Sequence, residues 1–259
     1  MPILLVGDVI SNLRIAGELG YDGLEVHMRE TTNLDYGAVI NAMEENSVDI
    51  SAIVTGKLNT LGKVNLMDLR PNISGAAVEG MFKYIEMASK LSTNLIIGWL
   101  KGKYSAEMDQ NLCYKELVKN LKTICSAAAE KDVKIFLEVI NRYETNCLVT
   151  CKEAVDFIDE NQIQNCYIHL DSFHMNIEET DPVAAIRHAG DKLAYFHAAD
   201  NTRLWPGSGT LNFKNQLTAL DDIGYSGYIS VECFPGESGV ETAKKAIEFF
   251  RMFEEVKNV

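Results

Sequence analysis

Nowhere in its 259 residues does the sequence approach the roughly 18 uncharged apolar residues that a membrane span requires. The start, Met1-Pro2-Ile3-Leu4-Leu5-Val6-Gly7-Asp8, lacks the basic n-region of a secretory signal. A cytoplasmic protein without a membrane partner is the expectation. Positive charge is also scarce: 24 basic residues stand against 37 acidic ones, a formal charge of −13. Phosphate backbones need a clustered basic footprint, so the balance argues against nucleic acid and for a small-molecule partner. The six cysteines, Cys113, Cys125, Cys147, Cys151, Cys166 and Cys233, lack paired CxxC spacing and are expected as free thiols. No Ser- or Pro-rich linker divides the chain, and no GxGxxG or P-loop phosphate cradle follows its first apolar run.

What is present is alternation. Strand-like runs are expected at Ile3 to Gly7, Gly23 to Met28, Asp49 to Thr55, Asn94 to Trp99, Lys134 to Val139, Cys166 to Asp171, Leu193 to Ala198 and Tyr228 to Cys233. Between them lie stretches with apolar residues at three- and four-residue steps, such as Leu117, Leu121, Ile124 and Ala128, or Ala243, Ala246, Ile247, Phe250 and Phe253. Gly20 and Gly224 open similar Gly-Tyr-x-Gly turns where a helix would give way to a strand. A hydrophobic content of 47% is ample for one large core. The pattern predicts an α/β fold, a (β/α)8 TIM barrel forming a single domain over residues 1–259.

Four of the late runs end on a costly group: Glu138, Asp171, His197 and Glu232. A charge there is expensive unless paired or ligated. Four at the same point of successive parallel strands would converge at the mouth of a barrel. Three carboxylates and one imidazole form an oxygen-rich set suited to one divalent ion, Mn or Mg, with Co or Zn as alternatives. Around the set lie further polar groups: Asn141, Arg142 and Glu144 after Glu138, His174 after Asp171, and Arg203 after His197.

These segments resemble the xylose-isomerase-like barrels, and within them the D-tagatose and D-psicose (allulose) 3-epimerases. Leu137 to Glu144 is similar to the family's LExxNRYE segment and His169 to Glu179, HLDSFHMNIEE, to its second metal segment. His197 to Arg203 with Trp205 to Gly209, and Ser230 to Phe234, resemble the third and fourth; the intervals of 33, 26 and 35 residues between ligands also suit it. The resemblance is strong from about residue 134 to 235 and only architectural before that. It implies an isomerase that holds Mn, with Co or Mg as substitutes, and epimerises an unphosphorylated ketose at C3 through a metal-stabilised enediolate. It further implies Glu138 and Glu232 as acid and base, and Glu144, His174 and Arg203 as sugar-binding residues. Relatives suggest a homo-oligomer, dimer or tetramer. Sugar-phosphate epimerases and hydroxypyruvate-type isomerases share the same ligands and stay open as alternatives, as does a non-catalytic sugar binder. An endonuclease IV-like repair enzyme fits poorly, with only five histidines and a charge of −13.

Several residues carry plainer expectations. Trp99 would wall the sugar or pack, and Glu25 and His27 face the side opposite Leu24, Val26 and Met28, with Glu25 a structural ion-pair partner low in the mouth. His169 shares the side of Asp171 and could support it, while His188 carries no chemistry. The stretch 56–72 is expected as a loop over the mouth, with Asp68 and Arg70 either closing on substrate or capping the next helix. Gly207 to Gly209, after Pro206, reads as a turn.

Overall fold

The computed structural model describes residues 3–257. Seven parallel strands, β1 (Gly23–Val26), β2 (Asp49–Val54), β3 (Leu95–Ile97), β4 (Ile135–Glu138), β5 (Cys166–Asp171), β6 (Leu193–Ala198) and β7 (Ile229–Val231), pair in sequence order in one sheet. Among the described residues ten α-helices alternate with them: α1 (Val9–Leu19), α2 (Tyr36–Asn46), α3 (Gly56–Gly62), α4 (Pro71–Lys90), α5 (Gln110–Ala129), α6 (Cys151–Glu160), α7 (Ser172–Glu178), α8 (Pro182–Ala189), α9 (Phe213–Asp222) and α10 (Gly239–Lys257). The sheet curls into a nearly closed barrel, with β1 and β7 approaching each other. Local signals set the helix ends. Asp8, Asp35, Asp109 and Asp181 each cap an N-terminus with the side chain, Thr150 and Glu153 form a capping box, and Gly20 ends α1 at φ +81°.

Period-2 alternation divides the apolar residues into two layers. Leu24, Val26, Ile135, Leu137, Ile168, Leu170, Phe196 and Ala198 point outward and pack under the helices. Ala52, Val54, Ile96, Phe136 and Tyr195 fill the barrel interior, where Phe136 and Tyr195 stack at 5.4 Å and Ser51 Oγ meets Tyr195 Oη at 2.8 Å. The inward positions above this floor are Glu138, His169, Asp171 and His197. Apolar residues fill the lower barrel, and charge begins at the C-terminal ends of the strands.

The run Ile3 to Gly7 does not form the expected eighth strand. Gly7 has φ +112°, Val6 is exposed, and the Leu5 carbonyl is taken by the Asn12 side chain at 3.3 Å. The backbone at Leu4 presses instead on the start of α10, where a Cβ on Gly239 would sit 1.7 Å from the Leu4 oxygen. β1 and β7 therefore flank a cavity of about 440 Å3, lined in part by Leu4, Leu5, Leu24, Ile229 and Phe250 and in part by polar groups such as Glu25, His27 and Ser51. Tyr228 bridges its lower end: its ring lies against Gly23 and its hydroxyl donates to Asp49 at 2.8 Å.

β5 and β6 have the expected bounds, β1, β2, β3, β4 and β7 are shorter, and the backbone after β3 turns into a 3-10 helix at Trp99–Lys101. The stretch 56–72 is not one loop, since its first seven residues form α3. Asp68 and Arg70 pair with each other: Asp68 accepts from the Arg70 amide and guanidinium just before Pro71 opens α4, and the Arg70 side chain makes no capping bond to that helix. All six cysteines are buried and free, and no described helix is long and apolar enough to cross a membrane.

The stripe expected on α5 is wholly buried, with Leu117, Leu121, Ile124 and Ala128 each at 0% exposure. Leu121→Ala should therefore lower stability by about 2–5 kcal/mol. A shift in the urea midpoint with an unchanged slope would measure it.

Candidate metal centre

Strand register brings the quartet together. Glu138 on β4 pairs with His169 on β5, Asp171 on β5 pairs with His197 on β6, and Glu232 follows β7, its amide donating to the Ala198 carbonyl at 3.3 Å. One donor atom from each of Glu138, Asp171, His197 and Glu232 lies within 4.8 Å of the others. His197 Nδ1 stands at the centre, 3.8 Å from Glu138 Oε1, 3.6 Å from Asp171 Oδ2 and 3.2 Å from Glu232 Oε2.

Each side chain is held from behind. His197 Nε2 donates to Glu25 Oε2 at 2.6 Å, and Glu25 Oε1 lies 3.2 Å from His27 Nε2. A proton on Nε2 leaves the Nδ1 lone pair facing the carboxylates, the arrangement by which a carboxylate orients a ligating imidazole. Asp171 caps α7 through Oδ1, accepting the Phe173 amide at 2.7 Å, which turns Oδ2 to the centre. Gly98 makes room for Glu138, since a Cβ there would fall 2.2 Å from Oε2. Lys101, fully buried, donates from Nζ to the Glu138 carbonyl at 2.9 Å and so ties the end of β4 to the turn after β3.

Arg203 reaches in from the loop after β6. Its Nη1 donates to Asp171 Oδ2 at 2.5 Å and its Nη2 to Glu232 Oε2. The guanidinium also lies 4.8 Å over the Phe173 ring. Its backbone is left-handed at φ +59°, a conformation costly for Arg and held by the buried Asp200. The Asp200 carbonyl accepts the Arg203 amide at 2.8 Å, and its carboxylate accepts the amides of Asn201, Gly207 and Leu211. Gly207, at φ +92°, and Gly209 thus form the expected turn, wrapped around the Asp200 carboxylate. Glu144 accepts from Trp99 Nε1 at 2.9 Å and from Asn141 Nδ2 at 3.2 Å, and Asn141 Nδ2 also meets His174 Nδ1 at 2.6 Å. Trp99, Glu138, Glu144, His174, Arg203 and Glu232 all line one cavity of about 170 Å3.

The electrostatics favour a cation at the centre. Burial, and then the like charge of Glu232, pushes the Glu138 carboxyl up to about 8. Burial acts the same way on Glu232 and Asp171, but His197 and Arg203 outweigh it at Glu232, and Arg203 and His174 at Asp171, so both stay below the ordinary carboxylate range. Burial alone would lower the pKa of His197; Glu25 and Glu232 overcome it and raise it well above the usual value. Positive charge is thus drawn to His197 Nδ1, a buried atom that makes no hydrogen bond. Three carboxylate oxygens around that unbonded nitrogen fit a divalent ion.

The expected site residues therefore come together, while Asp68 and Arg70 lie outside the cavity. Glu25 is more than an ion-pair partner low in the mouth, because it contacts the imidazole at the centre. His169 packs edge-on to His197 at 4.1 Å, with both its nitrogens unpartnered. Burial, then the His197 charge, holds its pKa well below the ordinary value. Lys101 and Gly98 escaped the sequence reading. Lys101-Gly102-Lys103 looks like a surface turn, and nothing in the sequence beside Gly98 marks it as the neighbour of Glu138.

The xylose isomerase-like TIM barrel family model matches residues 13–253. The chain belongs to that family. A D-psicose 3-epimerase from Enterocloster bolteae is 46% identical over 122 residues, 47% of this chain and 40% of that protein. An L-ribulose 3-epimerase from Methylomonas sp. is 29% identical over 86% of this chain and 77% of its own. The solved D-allulose 3-epimerase from Methylomonas sp. in complex with D-allulose superposes with a TM-score of 0.85 at 26% identity, covering 97% of this chain and 94% of that one.

Glu25→Gln would leave His197 without its carboxylate partner. The expected result is divalent-ion binding weakened by about 10- to 100-fold, read by calorimetric titration of Mn2+ into chelator-treated protein whose circular dichroism matches the parent.

Proposed function

We propose that the chain is a divalent-metal-dependent epimerase that inverts C3 of an unphosphorylated ketose through an enediolate. The observation that carries this reading is that two glutamates from separate strands, Glu138 and Glu232, line the same small cavity beside one imidazole. Inversion requires a proton to leave one face of a carbon and return to the other. Carboxylates on two strands can flank a substrate in that way, whereas two groups on one strand could not.

Glu138 and Glu232 act as base and acid on opposite faces, a transfer worth roughly 10²- to 10⁴-fold. A divalent ion, Mn by preference with Co, Mg or Zn as substitutes, would be held by Glu138, Asp171, His197 and Glu232 and would neutralise charge developing on the substrate oxygens. Glu144, His174 and Arg203 bind the sugar hydroxyls, and Trp99 walls the cavity.

Size and charge support a free sugar. The cavity of about 170 Å3 is well below the roughly 300–1,000 Å3 that drug-sized ligands occupy. Its lining holds Glu138, Glu144 and Glu232, the imidazoles of His27 and His174 and one guanidinium, that of Arg203, which Glu232 and Asp171 already engage. A phosphate dianion would meet more repulsion than attraction there. The relatives named for psicose, ribulose and allulose point the same way. The reading includes a cytoplasmic homo-oligomer, dimer or tetramer, without a nucleic-acid partner.

The test is a panel of ketoses in deuterated water with Mn2+, Co2+ or Mg2+, followed by isomer-resolved product analysis. Expected are C3 epimers carrying one deuterium at C3, loss of turnover on chelation and recovery on adding the ion back. Glu232→Gln should retain its fold and abolish the exchange. Turnover confined to phosphorylated ketoses, or exchange at the parent rate in Glu232→Gln, would overturn the proposal.

A further inference from the structure

Hydrogen bonds around Asn141 determine which nitrogen of His174 carries the proton. Asn141 Oδ1 accepts the Tyr143 amide at 2.9 Å, while Nδ2 faces Glu144 Oε1 at 3.2 Å and His174 Nδ1 at 2.6 Å. Reversing the amide would set its NH2 against the Tyr143 N–H and its oxygen against the Glu144 carboxylate. Two bonds would become two repulsions. Glu144 cannot swing away without loss, because its other oxygen accepts from Trp99 Nε1 at 2.9 Å. With the amide so oriented, both Nδ2 hydrogens donate, and His174 Nδ1 must accept. The proton of the neutral ring therefore sits on Nε2.

That nitrogen is the one turned toward the centre. His174 Nε2 lies 3.8 Å from Glu138 Oε1 and 3.9 Å from Asp171 Oδ2, neither a hydrogen-bond distance. The ring itself is buried and lines the same small cavity as Glu138 and Glu232.

We propose that Asn141 is a positioning residue that locks His174 as the Nε2–H tautomer, making this imidazole a hydrogen-bond donor to a substrate oxygen and not a base. The identity of that oxygen as a sugar's rests on the epimerase reading, whereas the lock itself does not. Proton transfer is left to the two glutamates, and Asn141 acts on the reaction only through His174 and Glu144.

Imidazole nitrogen-15 spectra of histidine-labelled, Mg2+-loaded protein at mildly alkaline pH test the lock, with His174 assigned by its loss in His174→Gln. Expected is an unprotonated, pyridine-like Nδ1 and a protonated Nε2. Asn141→Asp places a carboxylate oxygen against Nδ1 and should move the proton there, with kcat on the ketose that is turned over falling about 10- to 100-fold. A residue that merely packs would alter thermal stability and leave the tautomer unchanged. A parent spectrum with Nδ1 protonated overturns the proposal, as does an Asp variant that keeps the Nε2–H form. The parent spectrum alone reads the tautomer, so the test survives a variant that fails to fold. Should the tautomer be as stated while no ketose is turned over, the lock stands and the sugar reading falls.

Discussion

The mutual repulsion of buried carboxylates at the mouth of the barrel is the constraint on which the rest of this structure turns. Glu25, Glu138, Asp171 and Glu232 have little exposed side-chain surface and lie around the rings of His27, His174 and His197 and one guanidinium. Taking ions out of water costs several kcal/mol each, and the cost is met only where partners are close and well aimed. The side chains around the centre can be sorted by how they meet it. Glu25 accepts a hydrogen bond from His197 Nε2, Asp171 commits one oxygen to a helix cap, and Arg203 lies against Asp171 and Glu232. Glu138 is the carboxylate left with least compensation, which is why its pKa alone among the four rises.

That imbalance links fold to chemistry. The outer apolar layer and the parallel register put the four groups in one place, and the floor of Phe136 and Tyr195 lies just beneath them. The supports behind the donors are rigid ones: a helix N-terminus under Asp171, a buried lysine on the Glu138 carbonyl, and a loop wrapped around Asp200 behind Arg203. Side chains held this way lose little on taking up an ion or a substrate, because their order is established by folding. An oxygen-rich centre with a single nitrogen donor is of the kind that favours a hard divalent cation.

How much of this was legible beforehand follows from the range of each interaction. Glu138, Asp171, His197 and Glu232 stood out because each closes an apolar run where charge is costly, a local signal. Period-2 alternation also put Glu25 on the inner face of its strand. Its partner could not be read, because contact between β1 and β6 across the barrel depends on the closure of the whole sheet. Lys101 and Gly98 were hidden for the same reason, each finding its purpose only when β3 and β4 pair. Ile3 to Gly7 reads as a strand by composition, yet Asn12 and the start of α10 engage its backbone instead. In the stretch 56–72, a seven-residue helix is too short to leave a periodic signature.

Anomalous diffraction from crystals grown with Mn2+ would test the central claim most directly, the claim that four donors converge on one cation. The account predicts a single strong peak within about 2.0–2.6 Å of oxygens from Glu138, Asp171 and Glu232 and of His197 Nδ1. A centre without density under saturating Mn2+, or an ion bound instead between Glu25, His27 and Glu232, would contradict it.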